Sequence, residues 1–380
     1  MTSAPKGRPT CCIIDLAALR WNFQQVRKTV GHAVEIFSIV KANAYGHGAR
    51  QVAKTLSRAG SDGFGVATVE EGIELRESGI RSPILILTAI YPAQLGQLLQ
   101  HKLAPAISDL DTLGGLERLL RKRGRSLSFH LKVDTGMGRL GLLHSEIESW
   151  LPELGRLKAL KFEGLFSQLS HAEDERGEHT RTQIEAFRRV LERIEKTGFH
   201  PPLIHLANSA ALIAERNAHF TMVRPGLMLY GLYPAPEMAR QVELKPVLSW
   251  KTRVMQVKRL PAGSSIGYGR SFVTKRASSI ATLPVGYADG YHRLLSNRGA
   301  ALVRGKRAPI VGRISMDLTM VDVTDIAGVS QRDEVVLLGR QGDAAISANE
   351  MAGWAETISY EIVTSISARV PRIHCNSKGG

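Results

Sequence analysis

Lys41 directly follows the apolar run VEIFSIV and opens the segment KANAYGHG. A lysine pressed against the end of an apolar strand loses hydration, which lowers its pKa and frees a neutral amine to form a Schiff base with a carbonyl. The same position also suits a solvated lysine that does no more than end a strand. The residues that follow add the phenol of Tyr45 and two glycines, which let backbone approach an anion closely. A second stretch, KVDTGMGRLG, gathers Lys132, Asp134 and Arg139 within one loop-like run, and a third, SIGYGRSF, presents Tyr268. An ordinary phenol titrates near 10, so Tyr268 could serve as a base near neutral pH only beside a cation or a hydrogen-bond donor. Taken alone, Arg139 equally suits a loop salt bridge and Tyr268 a buried tyrosine in a turn-rich strand. Neither a dinucleotide-binding nor a Walker-type phosphate loop is indicated.

These residues need elements to hold them. From about residue 34 to 230, short apolar, β-branched runs alternate with longer amphipathic stretches, the pattern of βα units. The predicted strands are residues 34–40, 62–67, 83–88, 103–108, 127–133, 162–168, 202–207 and a run around 221–226. Between them lie helical patterns such as ARQVAKTLSRAG, TVEEGIELRESG, DLDTLGGLERLLRKRG and EHTRTQIEAFRRVLERIEKTG, several closed by a glycine. Eight strand-helix repeats with right-handed crossovers close most naturally into an α/β (β/α)8 TIM-type barrel, with an open doubly wound sheet as the alternative. In such a barrel Lys41 projects from the carboxyl end of the first strand, the end where barrel enzymes place their active sites. After about residue 243 the texture changes to alternating strands broken by Gly and Pro, with one convincing helix, SANEMAGWAETI. This predicts a barrel over 1–243 and a mostly β domain over 244–380. The early run CCIIDLAAL fits either an extra strand of the second domain or the lead into the barrel.

Bulk properties narrow the class further. At 380 residues the chain has room for two domains. Its 43% hydrophobic and 22% charged residues are ordinary for a soluble globular protein, and no run approaches eighteen uninterrupted apolar residues, so no membrane association is expected. The N-terminal MTSAPKGRPTCC has charges and prolines where a secretory peptide needs a continuous apolar region, which leads us to expect a cytoplasmic protein. Three cysteines, Cys11, Cys12 and Cys375, without a CxxC spacing indicate neither a disulfide framework nor a zinc site, and no metal is expected. A formal net charge of +15 brings nucleic acid into consideration. The basic residues are dispersed, however, and the densest run, at 121–125, reads as a helix end without interleaved aromatics. A positive field of this kind would also attract small phosphorylated or carboxylated ligands.

VKANAYGHG resembles the pyridoxal-phosphate lysine signature of the alanine racemases, and the resemblance continues in order through most of the chain. It takes in KVDTGMGRLG, ANSAA, VRPGLMLYG, GSSIGYGRSF, LPVGYADGY, GRISMDLTMVD and ISYEIVTSISARVPR. The resemblance implies a barrel followed by a β domain, pyridoxal 5'-phosphate attached to Lys41, and interconversion of L- and D-alanine, supplying D-alanine for the cell wall. Inverting Cα requires one group to remove a proton from one face and another to return one to the opposite face. By resemblance these are Lys41 and Tyr268, brought together across a homodimer so that each site combines residues of two subunits. Arg139 would bind the substrate carboxylate and lower the pKa of the phenol, with the backbone N–H of Met316 as a further carboxylate contact. Arg224 would face the pyridine nitrogen, where an arginine can only donate a hydrogen bond. Tyr45, Ser209, Gly226, Leu227 and Tyr360 would hold the phosphate, and Tyr287 would line the path to the site. Lys132 matches a lysine often carbamylated in relatives, and an unmodified lysine paired with an acid is the plain alternative. One departure stands out: relatives commonly carry a histidine in the stretch where this chain has Gln168, with His171 three residues on. An amino-acid decarboxylase of the same fold is disfavoured by VRPG and ANSAA. A non-catalytic pyridoxal-phosphate carrier is disfavoured by the segments holding Tyr268 and Met316, and a nucleic-acid-binding protein is a distant third.

Overall fold

The fold is described from a computed structural model over residues 7–174 and 177–376. It divides into two compact units. Among the described residues, one spans Leu19–Ala44 and Ala49–Lys245; the other takes in 7–18, the short segment Tyr45–Gly48, and 246–376.

The first unit is a closed parallel barrel. Its eight strands run, in order around the sheet, Ala104–Ile107, Ile84–Ile86, Gly63–Val66, Glu35–Ile39, Met222–Val223, Leu203–His205, Leu160–Phe166 and Leu127–Asp134, which pairs back with Ala104–Ile107. Every expected strand is present, and closure removes the exposed edges an open sheet would keep. The helices between strands begin where side chains can satisfy their first N–H groups. Thr68 and Glu71 form a capping box on Val69–Glu77, Asp109 caps Leu110–Lys122, and Asn208 caps Ser209–Ala214. Arg121 and Lys122 fall in the last turn of Leu110–Lys122, where the helix dipole favours cations, which accounts for the first two cations of the densest basic run.

The second unit is mostly β. Its main sheet runs Lys306–Pro309, Ala300–Val303, Glu334–Gln341, Leu248–Arg253, Cys11–Asp15 and Arg372–Cys375, with Ala344–Ile346 paired to Glu334–Gln341. The N-terminal strand is antiparallel to Leu248–Arg253 and parallel to Arg372–Cys375, so CCIID is a central strand of this sheet and not the barrel's first element. A three-stranded sheet, Gln256–Leu260, Ser278–Leu283 and Thr319–Asp322, and the hairpin Ser265–Ile266 with Phe272–Val273 complete it. Among the described residues no helix is long and apolar enough to cross a membrane.

Candidate active site

Lys41 lies two residues beyond the Glu35–Ile39 strand. That strand end is tied to its neighbour: the Ile39 N–H donates to the Pro225 carbonyl (2.9 Å) and the Tyr230 hydroxyl donates to the Ile39 carbonyl (2.8 Å). Lys41 is thereby anchored beside the Arg224-Pro225 segment. Immediately after it, Ala42, Asn43, Ala44 and Tyr45 all adopt left-handed φ values of 51–54°. L-residues pay roughly 1–2 kcal/mol each for this conformation, so something must hold it. Glu71 does so in part, accepting from the Ala42 N–H (2.6 Å) and the Ala67 N–H (2.7 Å), while the Asn43 carboxamide accepts from the Ala49 N–H (2.8 Å). Burial and the charge of Arg139 lower the Lys41 pKa, against an opposing pull from Glu71.

Lys132 stands on the Leu127–Asp134 strand and is buried. Its amine donates to the Leu87 carbonyl (3.2 Å) and sits 5.5 Å from the centroid of the Phe166 ring. Burial, with Arg139, Arg224 and Lys41, lowers its pKa to about 8, and Asp134 only partly offsets them. Asp134 is occupied elsewhere, accepting from the N–H groups of Gly136 (2.8 Å), Met137 (2.8 Å) and Arg139 (3.1 Å). Burial pushes its carboxyl up, but these backbone donors outweigh burial and hold it below the usual range. The loop carrying Arg139 is thus clasped by its own backbone. Gly141 closes that loop at φ +130°, and a Cβ there would stand 2.6 Å from the Asp134 nitrogen. Although GMGRLG spells G-x-G-x-x-G, it leads into the short strand Leu142–Leu143 and not into a helix, so it lacks the context of a dinucleotide loop.

Arg224 is the most enclosed cation. Its guanidinium donates to the carbonyls of Ser167 (2.7 Å), His205 (2.8 Å) and Leu206 (3.2 Å), to His205 Nδ1 (2.7 Å) and to Gln168 Oε1 (3.3 Å). Gln168 therefore does reach Arg224. Burial lowers the guanidinium pKa to about 9, and among the described residues it forms no ion pair with a carboxylate. Phe166 lies beneath it, 5.2 Å from ring centroid to Cζ.

Sequence reasoning missed the two histidines behind Arg224. Arginine can only donate, so His205 Nδ1 accepts; its Nε2–H then donates to His130 Nδ1 (2.8 Å), which leaves the His130 Nε2–H facing Glu163 Oε2 at 3.7 Å. Both imidazoles are buried, and burial lowers both pKa values, so this chain of contacts is made by neutral rings. Gly164 makes room for it, because a Cβ there would meet His130 Nδ1 at 2.2 Å.

Ser209 opens the helix Ser209–Ala214, and its hydroxyl accepts from the N–H groups of Gly226 (2.9 Å) and Met228 (3.3 Å). Gly226 precedes the 3-10 turn Leu227–Tyr230. Lys41, Lys132, Arg139, Arg224, Ser209, Gly226 and Leu227 all belong to the barrel unit.

The other expected residues belong to the β unit. Tyr45 packs near Tyr360, ring centroids 6.1 Å apart, and burial with that neighbouring phenol raises its pKa. The adjoining segment is held by Arg372, which donates to the Gly46 carbonyl (2.9 Å). Tyr268 stands on a short turn, Tyr268–Arg270, and is 73% exposed, which rules out a buried core tyrosine. Met316 and Tyr287 are also exposed, at 53% and 43%.

Comparison with known proteins places both units. The family model "Alanine racemase, N-terminal domain" matches residues 14–234 and "Alanine racemase, C-terminal domain" matches 247–374. The chain is 47% identical over 373 residues to the alanine racemase of Halothermothrix orenii, covering 98% of each chain. It is 48% identical over 367 residues to that of Symbiobacterium thermophilum, covering 97% of each. Among solved structures, it is similar to the alanine racemase of Bacillus anthracis with bound L-Ala-P, at TM-score 0.93 and 35% identity, covering 99% of this chain and 97% of that one. It is also similar to that of Bartonella henselae with covalently bound pyridoxal phosphate, at TM-score 0.87 and 32% identity, covering 96% and 99%.

Proposed function

Because this chain belongs to the alanine racemase family, we infer that it interconverts L- and D-alanine with pyridoxal 5'-phosphate held at Lys41. The observation that carries this reading is the company Lys41 keeps: a half-buried amine of lowered pKa that feels the charge of Arg139 and acts on the buried Lys132, which Arg224 influences in turn. The donor set suits the cofactor. A neutral amine can take its aldehyde, a guanidinium that only donates can face its ring nitrogen, and Ser209 with the amides of Gly226 and Leu227 can take its phosphate, joined by Tyr45 and Tyr360. When bound, pyridoxal phosphate draws electrons from the substrate Cα and makes its proton removable.

Lys41 moves the proton at one face of Cα through its Nζ. Tyr268 of the partner subunit moves it at the other face through its hydroxyl; its exposure on the β unit suits a residue that completes a site on a second copy. Arg139 and the backbone N–H of Met316 of the partner subunit hold the substrate carboxylate, so the Cα–H bond stays aligned between the two bases. Tyr287 lines the path to the site. Arg224 holds its donor toward the ring nitrogen without giving up a proton, which limits electron withdrawal and keeps the reaction to proton transfer. Lys132, with its pKa near 8, is often enough neutral to take up carbon dioxide, and the resulting carbamate would orient Arg139. We place the homodimer in the cytoplasm, supplying D-alanine for cell-wall synthesis.

The test is to incubate the purified protein with L-alanine, resolve the enantiomers over time and record the visible spectrum beside it. Equal enantiomers at the end point and a visible band that disappears in Lys41→Ala support the reading. Turnover or the band persisting in Lys41→Ala refutes the assignment of Lys41.

A further inference from the structure

The opposite end of the barrel holds a cavity of about 960 Å³. It opens where the strands Ile84–Ile86, Ala104–Ile107 and Leu127–Asp134 begin, at the far end from Lys41. Four cations line it: Arg76, Arg81, Lys102 and Arg125. None of the four forms an ion pair among the described residues. Arg76 donates to the carbonyls of Ser82 (2.6 Å), His101 (2.8 Å), Lys102 (2.8 Å) and Ile80 (3.0 Å), so it rivets the two loops of the rim together while its charge goes unmatched. A concave site whose four cations outnumber a single acid over apolar walls concentrates small anions.

Glu163 is the acid in this lining, and Glu35, which feels its charge, lies outside it. Glu163 is also the last member of the chain of contacts that runs through His130 and His205 to Arg224. The barrel core therefore carries a polar line from this cavity to the buried Arg224 guanidinium, whose charge is felt at Lys132.

We propose that this cavity is a regulatory site for a compact polyanion, a phosphoryl or multi-carboxylate group, and that its occupation is transmitted to Arg224 through Glu163, His130 and His205. An anion seated among the four cations stands beside Glu163 and repels it, loosening its hold on the His130 Nε2–H. The two imidazoles share one direction of hydrogen bonding, so a change at His130 alters what His205 accepts from Arg224. The binding half of the proposal stands by itself; its consequence for turnover rests on Arg224 facing the cofactor ring, as read above.

The experiment uses the full chain carrying its cofactor, with histidine ring nitrogens labelled with 15N. Inorganic pyrophosphate and citrate are titrated separately at constant ionic strength, by calorimetry and by ring 15N spectra, and the tighter of the two identifies the class of anion. The expected result is one saturable site per chain with a dissociation constant below about 1 mM, weakened about tenfold or more in Arg81→Ala/Arg125→Ala and unchanged in the control Arg121→Ala/Lys122→Ala. Saturation should move the ring signals of both His130 and His205. In Glu163→Gln the anion should still bind, while the shift at His205 falls by at least about half, because the neutral amide no longer carries the repelled charge. Absence of saturable binding by either anion, or binding indifferent to Arg81→Ala/Arg125→Ala, overturns the site. Binding without movement at His205 overturns the transmission. Failure of the cofactor reading would appear separately, as loss of the visible band.

Discussion

Replacing Lys132 by methionine, of similar length and without charge, tests the electrostatics of the Lys41 end most directly. The Lys132 amine titrates at about 8 in the folded chain, held there by burial, Arg139, Arg224 and Lys41 against Asp134. An unfolded lysine titrates near 10.4, so the gap corresponds to roughly 3 kcal/mol. Between these two values the unfolded chain binds more protons than the folded one, so stability rises with pH across this window, and below about 8 the penalty is present in full. Methionine removes the penalty and leaves the Leu87 carbonyl without its donor at 3.2 Å, a loss of about 1 kcal/mol. The cofactor-free variant should therefore be more stable than wild type by about 2 kcal/mol at pH 7, and less stable by about 1 kcal/mol near pH 10.5. Urea unfolding followed by circular dichroism at both values, in bicarbonate-free buffer, measures the crossover. A difference of the same sign and size at the two pH values would refute a depressed lysine at this position. Repeating the wild-type curve with bicarbonate separates the carbamate from the plain amine, because a carbamate turns the cation into an anion among three cations and should stabilise the chain at pH 7.

Tyr268→Phe should keep the visible band yet slow isotope exchange from one enantiomer of alanine far more than from the other; equal slowing of both speaks against a two-base division. Mixing Lys41→Ala with Tyr268→Phe subunits should restore part of the activity, because one of the two sites in a mixed dimer has both wild-type bases. No recovery after demonstrated subunit exchange rules out a site shared between chains. Gly164→Ala forces its new methyl to within 2.2 Å of His130 Nδ1, so overpacking should cost about 1–3 kcal/mol and lower the melting temperature. An unchanged melting temperature would mean that the imidazole can step aside, and the His130–His205 contact would lose its standing as a rigid link.

The barrel was legible because short apolar, β-branched runs and longer amphipathic helical patterns alternate locally, and Lys41 stood out because it breaks an apolar run at its end. What escaped depends on distances between remote segments. His130 and His205 lie in LSFHLKV and PLIHLA, where a histidine reads only as an interruption. Their strands are not even neighbours, since Leu160–Phe166 lies between them, and contact depends on Gly164 leaving its side-chain space open. The left-handed turn after Lys41 contains no glycine between 42 and 45 to announce it, and its holder Glu71 comes from Val69–Glu77, a helix beyond the next barrel strand. The place of CCIID was undecidable for the same reason: the Leu248–Arg253 strand that claims it is more than two hundred residues away. The resemblance named residues in both units, but how they meet is a property of the assembly and not of any motif.

Charges arranged to favour the folded chain alone would look different from those around Lys41. Lys132 and Arg224 are buried with neutral carbonyls, a neutral imidazole and the Phe166 ring as their partners, although pairing each with a carboxylate would lower the cost of burial. Asp134, the acid placed to do so, spends its oxygens on the loop that presents Arg139. A local carboxylate would also compete with any anion arriving from solution. Leaving the cations unmatched trades stability for affinity toward a phosphate or carboxylate, a trade that active sites commonly make. On this argument, a neutralising substitution near these cations, such as Gln168→Glu, whose side-chain oxygen already stands 3.3 Å from the Arg224 guanidinium, should raise the stability of the cofactor-free chain and weaken cofactor binding together. Gain of one without loss of the other would show that the cations around Lys41 are not held in reserve for a ligand.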